Sequence, residues 1–417
     1  MMTQPSGLYR KLGIVATALV LVAVGGWMLI KTPAPVKAAT TLGSPLPNLT
    51  SLETTMFNGG LTEFNKTWDP TQGLGPVFTQ FRCALCHSDP GVVGGNSKLG
   101  VTFVGKYNSD GSYTDLVNEG GPQIQPQSNQ QFKSQCNLKG EVVPNDATIV
   151  ATHQTPQTLG LGLIDNIPDS QILAQAVPKP FGVQGVANMI VDENGTLRVG
   201  RFGLKSQQAT LTQMSANALL HELGVTNPIF MTEDLPQGLP IPPFCSIKNQ
   251  PNDPLGTNMI DAYHYLLYLA PNTPGTGNAN GQSLFTSVGC SECHNPTYTT
   301  ATKVNVMVTW KGRIINSNAL ANQQVNLYSD LLLHDLGGLN GDGLEVGISS
   351  GTQFRTAPLW GLSTRITAGN GFLHDGSAKD VMSAIEAHSG EASQIVSKFN
   401  GLKASDQADL IAFISSL

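Results

Sequence analysis

The chain has 417 residues, more than one compact domain usually holds, which favours two or three domains. Charged residues make up only 12%, about half of the usual ~25%, while glycine and proline number 45 and 26. This composition excludes a coiled coil, a polybasic nucleic-acid binder and a charged disordered chain. Six cysteines are too few for a disulfide-dense miniprotein, so their spacing matters more than their number.

Residues 1–40 have the features of a targeting segment. Arg10 and Lys11 precede an apolar stretch over residues 12–30, and small residues end a proline-rich stretch before residue 40. Two alternatives stay open, a cleaved signal peptide or an inner-membrane anchor through residues 12–30, because the stretch is nearly long enough to span a bilayer. Both predict a periplasmic protein, either soluble or tethered. Without this segment, 19 of the 23 basic residues stand against 29 acidic ones, and the net charge of −10 argues against a nucleic-acid partner.

Two C-x-x-C-H pentapeptides use four of the six cysteines. They consist of Cys83, Cys86 and His87 in the first and of Cys290, Cys293 and His294 in the second. The pattern is typical of covalent haem c attachment, in which two thiols bond to the haem edge and the adjacent histidine ligates iron. A redox dithiol or a zinc site also uses C-x-x-C, but neither needs the adjacent histidine twice. The sequence therefore predicts two covalently bound haem c groups.

The leftover cysteines, Cys136 and Cys245, predict either one disulfide or two buried thiols. Apolar residues at helical spacing over 259–269 and 408–414 suggest that each haem unit closes with a helix. A turn signal at Asn194-Gly195 predicts a short hairpin within 190–203. We predict a mainly α fold of two cytochrome c-like haem domains with long loops and a few short β-hairpins. The domains span residues 41–270 and 271–417, with the boundary in a Pro/Gly linker.

Several further segments resemble the bacterial di-haem oxidoreductases (DHOR, often described as thiol oxidoreductases), which are related to di-haem cytochrome c peroxidases. The resemblance covers most of residues 55–417. The segments that carry it are Gln154-Thr155-Pro156, Gly160 to Asp165, Gly200-Arg201-Phe202-Gly203, Glu222 to Thr226, Tyr328 to Gly337, Phe354 to Gly361 and Phe372 to Gly376. The family implies a redox enzyme with one electron-transfer haem and one haem that reacts with peroxide or a related oxidant.

For the iron ligands, His87 and His294 are proximal by motif. A short helix with Asp380 as N-cap would turn His388 inward, at the spacing where similar peroxidases have a ligating methionine, which implies bis-histidine ligation of the second haem. The alternative is a surface histidine. His153 is a candidate distal ligand of the first haem, with His221 as a rival and a loop histidine as the simpler interpretation.

The resemblance assigns the acid–base role to Glu222, which precedes Leu-Gly much as a catalytic glutamate precedes Met-Gly in the peroxidases, with Gln213 as its amide partner. A solvated carboxylate at a helix end is the simpler alternative. Arg201 and Arg355 are candidates for pairing with haem propionates, against ordinary surface arginines. Trp360 either packs on the second haem, which we favour, or replaces the inter-haem tryptophan that this chain lacks in the family position. Calcium lies between the haems of the peroxidases, but glycines occupy the corresponding region here and do not support it.

The partners implied are a periplasmic electron donor, such as a small cytochrome or cupredoxin, and peroxide or another small oxidant. One alternative is haem-dependent oxidation of an organic or protein substrate. Another is a non-catalytic di-haem electron carrier, in which both haems would be six-coordinate. A cysteine-based thiol oxidoreductase is disfavoured, because haem occupies four cysteines and the other two form no C-x-x-C pair.

Overall fold

The computed structural model describes residues 41–242, 252–272, 275, 277–338 and 340–417. The prediction of a mainly α fold is wrong, since helix accounts for 33% of the chain and strand for 15%. A helix content of about a third is ordinary for a mixed globular protein. The physical reason is that glycine- and proline-rich loops interrupt the helices, so that the longest described helix has 15 residues.

The described helices include those that the sequence predicts at the end of each haem unit. Thr50 begins the first helix with a capping box to Glu53, and Asp380 begins the tenth in the same way with Ser383. The helices in the described ranges are α1 (Ser51–Asn65), α2 (Cys83–Cys86), α3 (Gln130–Cys136), α4 (Leu161–Asp165), α5 (Asp169–Leu173), α6 (Leu211–Leu223), α7 (Thr257–Tyr268), α8 (Ala279–Val288), α9 (Leu362–Thr367), α10 (Val381–Ala387), α11 (Ser393–Asn400) and α12 (Ala404–Ser415). The expected closing helices are α7 and α12, and α10 is the expected helix after Asp380.

The strands are short and pair only antiparallel in the described part of the chain. They are β1 (Val77–Phe78), β2 (Gly100–Tyr107), β3 (Tyr113–Thr114), β4 (Gln127–Ser128), β5 (Ile149–Gln154), β6 (Met189–Val191), β7 (Leu197–Val199), β8 (Tyr298–Thr299), β9 (Asn305–Met307), β10 (Ile314–Asn316), β11 (Gln324–Val325), β12 (Leu333–Asp335) and β13 (Gln353–Arg355). A three-stranded sheet has the order β3-β2-β5, and the remaining strands form the pairs β1-β4, β6-β7, β8-β11, β9-β10 and β12-β13. The β6-β7 pair is the predicted hairpin.

Two clusters of buried apolar side chains form the core. The first surrounds α1, α6 and α7, and the second surrounds α8, α11 and α12. Each cluster also contains side chains from beyond the predicted domain boundary. Tyr298 and Leu332 pack in the first cluster, and Val183 packs in the second. The division into 41–270 and 271–417 stays a prediction.

Close helix contacts explain two of the buried glycines. A Cβ at Gly60 of α1 would lie 2.3 Å from the Asp261 carbonyl oxygen of α7. A Cβ at Gly281 of α8 would lie 2.1 Å from the Asp409 carbonyl oxygen of α12. Each half of the chain thus packs its closing helix backbone-to-backbone against an earlier helix, which only glycine permits.

Some sequence-based expectations fall on residues that the structure leaves out. The predicted targeting segment 1–40 and Cys245 lie outside the described residues. Cys136 is disulfide-bonded, while the four C-x-x-C-H cysteines are free thiols. No helix in the described ranges is both long and apolar enough to cross a membrane.

Candidate haem and acid–base site

The first C-x-x-C-H motif forms a single helical turn that presents its histidine for metal binding. Helix α2 holds Cys83 and Cys86, and His87 follows as its C-cap. The Nδ1 atom of His87 lies 3.0 Å from the Pro156 carbonyl oxygen. A carbonyl oxygen can only accept, so Nδ1 carries the proton and Nε2 keeps a free lone pair, the arrangement that metal-ligating histidines use. Burial lowers the pKa of His87 to about 4, which keeps the imidazole in its neutral form.

The second motif repeats this arrangement on a different local structure. Cys290–Glu292 form a 3₁₀ turn, and the Nδ1 atom of His294 lies 2.9 Å from the Tyr328 carbonyl oxygen. Burial again lowers the pKa of His294 to about 4. Both motif histidines are therefore neutral and oriented by a backbone carbonyl from a distant loop.

His388 shares these properties and lies near His294. It is the C-cap of α10, and its Nδ1 atom lies 2.6 Å from the Ala384 carbonyl oxygen, so Nε2 is again free. Burial lowers the pKa of His388, and the charge of His388 in turn lowers the pKa of His294. The two imidazoles are therefore close enough to interact, and α10 packs in the second cluster through Val381 and Ile385.

The motif thiols do not resemble those of a redox dithiol. Burial raises the pKa of Cys83 to about 12, that of Cys86 to about 11 and that of Cys290 to about 12. Redox-active and zinc-binding cysteines need a lowered pKa and a thiolate. The raised pKa values of these three thiols therefore argue against a redox dithiol or a zinc site, and covalent haem attachment stays a prediction.

Glu222 lies beside the first motif. It is the penultimate residue of α6, and its charge raises the pKa of both Cys83 and Cys86. Gln123 Nε2 donates to Glu222 Oε1 over 3.0 Å. Burial raises the pKa of Glu222, which outweighs the hydrogen bonds that favour its carboxylate. A buried carboxyl group with a raised pKa can both accept and release a proton.

Gln213, the predicted amide partner, is in the wrong place for that role. It lies in the first turn of α6, about 13 Å along the helix axis from Glu222. Its amide nitrogen donates to the Val191 carbonyl, and its amide oxygen accepts from the Ala209 N–H. Gln123 holds Glu222 instead, and it comes from a loop that the resemblance did not highlight.

The predicted propionate arginines differ in their surroundings. The Arg201 side chain is fully buried and donates to the carboxylate of Asp169 and to the carbonyls of Ile164, Ile167 and Val199. Its Nε atom thus serves β7, while its Nη1 and Nη2 atoms serve α4 and the residues that follow it up to Asp169. Arg201 is a structural residue, and the structure does not offer it to a propionate.

Arg355 has an incompletely compensated charge. Burial lowers the pKa of Arg355 to about 10, and its guanidinium donates only to carbonyls, at Gly203 and Thr356. Within the described residues no carboxylate lies at ion-pair distance from it. Next to the first motif, Arg82 has a buried Nε atom without a hydrogen-bond partner among the described residues. Buried cations that need an acceptor fit the propionates of a haem, so the residues present suit the group that the motifs predict.

His153 is engaged in a buried ionic cluster. Its Nε2 atom lies 2.9 Å from Asp342 Oδ2, while Lys205 Nζ lies 2.9 Å from Asp342 Oδ1. Lys205 also lies over the Phe354 ring, which stacks on His374 at 4.4 Å between centroids. The Nε2 atom of His153 is therefore occupied by a carboxylate and is not free to ligate iron. This cluster joins the N-terminal half of the chain to its C-terminal loops.

His334 lies close to the second motif without being a candidate ligand. Its Nδ1 atom is 2.8 Å from Glu391 Oε2 and 3.6 Å from Cys293 Sγ, and its Nε2 atom is 2.9 Å from Asp330 Oδ2. Although burial alone would lower the pKa of His334, these partners raise it well above its usual range. His334 is a charged imidazolium that ties two loops together beside Cys293.

Trp360 lies between the loops that orient the two motif histidines. Its carbonyl accepts from the Gln157 side chain, next to Pro156, and Leu359 N–H donates to Leu327, next to Tyr328. A Cβ at Gly160 would lie 2.6 Å from the indole ring, so glycine at that position admits the tryptophan. This location is compatible with either packing or electron transfer.

Comparison with known proteins gives a family but no individual counterpart. Residues 123–241 and 269–417 match the family described as "Di-haem oxidoreductase, putative peroxidase". No curated protein matches the chain. A solved structure of Kuenenia stuttgartiensis hydrazine synthase pressurized with 20 bar xenon is 14% identical, with a TM-score of 0.38, over 99% of this chain and 100% of that one. A MauG-like protein associated with microbial copper homeostasis is also 14% identical, with a TM-score of 0.38, over 91% of this chain and 94% of that one. At these scores neither structure informs the site, but the family match covers more than half of the sequence, and the chain therefore belongs to the di-haem oxidoreductase family.

Proposed function

We propose that this chain is an exported di-haem c-type peroxidase. One haem, on Cys83, Cys86 and His87, would be the site of peroxide reduction. The other, on Cys290, Cys293 and His294, would receive electrons from a periplasmic donor such as a small cytochrome or cupredoxin. The observation that carries the proposal is the buried carboxyl group of Glu222 beside the first motif, whose pKa burial raises. The buried carboxylate that acts on the second motif, Asp330, is instead paired with charged His334, and its pKa is lowered.

The coordination chemistry supports different tasks for the two motifs. His388, with its free Nε2 atom and its influence on His294, would complete a bis-histidine site at the second motif. A six-coordinate haem suits electron transfer, and two imidazoles give a lower reduction potential than histidine with methionine. At the first motif, His153 Nε2 and His221 Nδ1 each bind a carboxylate, so neither nitrogen is free to complete a second six-coordinate site.

Haem, when bound, supplies the iron chemistry that breaks the peroxide bond. The contribution of the protein is proton movement. Glu222 takes a proton from one peroxide oxygen and returns it to the other, so that the departing oxygen leaves as water. Gln123 fixes the orientation of the carboxylate through its amide N–H. Arg82 and Arg355 would bind haem propionates and so hold the macrocycles in place.

The test is the Glu222→Gln variant assayed for peroxide reduction with a chemically reduced electron donor. Since general acid–base groups contribute about 10²–10⁴-fold, kcat should fall by that factor, while the haem absorption spectrum is unchanged. The matched control is Glu345→Gln, an exposed glutamate that also accepts one side-chain hydrogen bond, from Tyr107 over 2.8 Å. A Glu222→Gln variant with wild-type kcat would exclude Glu222 as the acid–base group.

Spectroscopy separates the proposal from an electron carrier. A peroxidase should have a five-coordinate or high-spin haem, before or after half-reduction, in its EPR spectrum. Two low-spin haems in both states, together with no consumption of peroxide, would identify a carrier. Haem that stays with the polypeptide under denaturing conditions is the expected result for attachment through the four motif cysteines.

A further inference from the structure

An imidazole–carboxylate pair lies beside Glu222 and reaches solvent. His221, its neighbour in α6, has its Nδ1 atom 2.7 Å from Asp234 Oδ2. The side chains of His221 and Asp234 are 30% and 32% exposed. The His221 ring also contacts Phe230 at 6.1 Å between centroids, and its Nε2 atom has no hydrogen-bond partner among the described residues. A titratable group that meets bulk water therefore adjoins the buried carboxyl group.

Two glutamine amides connect this pair to Glu222. Gln125 Nε2 donates to the His221 carbonyl over 2.7 Å and to Asp234 Oδ2 over 3.1 Å. Gln123 Nε2 donates to the same carbonyl over 2.9 Å and to Glu222 Oε1 over 3.0 Å. One carbonyl oxygen thus accepts from both amides, and the positions of Asp234 and Glu222 are fixed relative to each other.

The charges around His221 favour its protonated form. Burial alone would lower the pKa of His221, but the hydrogen bond and charge of Asp234, assisted by Glu222, raise it. Burial, assisted by the charge of Asp234, raises the pKa of Glu141, whose carboxylate accepts from Gln125 N–H. These are the titratable groups that face the pair from its own helix and from the loops packed against it.

The chemistry of the proposed function requires such a group. Reduction of hydrogen peroxide to two water molecules consumes two electrons and two protons. Glu222 moves a proton from one oxygen to the other and so adds none. Each turnover must therefore draw two protons from outside the pocket, and the electrons come from the donor.

We propose that the His221–Asp234 pair is the entry point for these protons and that His221 is a positioning residue acting through Glu222. This inference rests on the proposed peroxidase function. His221 releases the proton on its solvent-facing imidazolium towards the Glu222 carboxylate and becomes neutral, and bulk water returns it to the protonated state. Asp234 holds the ring through its contact with Nδ1.

The experiment compares His221→Gln and Asp234→Asn in the intact holoprotein. Both variants should lower kcat for hydrogen peroxide by about tenfold, less than removal of the acid–base group itself, with KM unchanged. Added imidazole should restore much of the rate in His221→Gln, because it carries protons to the vacated position. In wild type the rate should fall as pH rises through the raised pKa of His221, and in Asp234→Asn this alkaline limb should move to lower pH. The matched control is Asp146→Asn, which removes an exposed carboxylate paired with Lys106 at 2.6 Å.

The outcomes separate this inference from the proposed function. If Glu222→Gln lowers kcat while His221→Gln has wild-type kinetics, the proton-entry role is overturned and the peroxidase proposal stays intact. Unimpaired Glu222→Gln would overturn the peroxidase proposal. A loss in His221→Gln that imidazole does not restore, with no change in the pH profile, would identify a structural residue and also overturn the inference. Thermal melting and the haem spectrum verify that each variant is folded.

Discussion

Adjacent glycines in α1 offer a paired test of how closely this helix approaches α7. Gly59 faces solvent, and a Cβ there would meet nothing within 4 Å. A Cβ at Gly60 would lie 2.3 Å from the Asp261 carbonyl oxygen and 2.6 Å from the Tyr265 backbone nitrogen. Both contacts are with backbone, so α1 would have to move away by about 1 Å to reach ordinary van der Waals separation.

Both alanine substitutions gain helix propensity, but only Gly60→Ala also overpacks the contact with α7. Replacing a helical glycine by alanine stabilises the helix by about 0.8–1 kcal/mol at either position. Overpacking at Gly60 costs about 1–3 kcal/mol in addition. Gly59→Ala should therefore raise the free energy of unfolding, and Gly60→Ala should fall below Gly59→Ala by about 1–3 kcal/mol, because the helix-propensity gain cancels in the comparison.

Urea denaturation followed by circular dichroism measures this difference, with each variant in the same haem-loaded state. The haem spectrum provides a second readout. Phe64 of α1 contacts Tyr265 at 4.9 Å and the His87 ring at 6.0 Å between centroids, so a shift of α1 should perturb the first haem in Gly60→Ala alone. Equal stability and identical spectra for the two variants would refute the close approach of α1 to α7.

Two further predictions concern ionisation and iron ligation. Burial raises the pKa of Glu63 to about 7, so this residue should cost the folded state up to roughly 3 kcal/mol as pH rises from about 4.5 through 7. Glu63→Gln should remove that part of the pH dependence, measured by urea unfolding at pH 5 and pH 8, and an unchanged dependence would contradict the assignment. His388→Met should raise the reduction potential of the second haem by on the order of 0.1 V, a fraction of the ~0.8 V that axial ligands span, in a redox titration followed by EPR. Unchanged signals from both haems would exclude His388 as a ligand.

Local patterns in the sequence were sufficient to predict local structure. The capping residue Asp380 and the apolar spacing after it predicted α10, and Asn194-Gly195 predicted the β6-β7 hairpin. Such features depend on neighbouring residues, so a single sequence carries them. The overall class was wrong, because haem motifs suggested small helical cytochromes while glycine-rich loops and short strand pairs occupy much of the chain.

Long-range contacts in the site were not predictable in the same way. The oxygens that orient His87 and His294 are backbone carbonyls of Pro156 and Tyr328, and every residue type offers a carbonyl. The partner of Glu222 is a glutamine 99 positions away, whereas sequence spacing pointed to one in its own helix. Arg201 was misassigned because its motif does not reveal that carbonyl oxygens and Asp169 already occupy its donors.

The cluster of Lys205, His153 and Asp342 has a consequence for the order of events during synthesis. Lys205 and His153 emerge well over a hundred residues before the carboxylate that binds them both. Strand β5, which carries His153, ends at Gln154, two residues before Pro156, whose carbonyl orients His87. The surroundings of the first C-x-x-C-H motif therefore cannot be completed until the nascent chain extends beyond residue 342. We expect Cys83 and Cys86 to stay accessible for haem attachment until the segment around Asp342 has joined them.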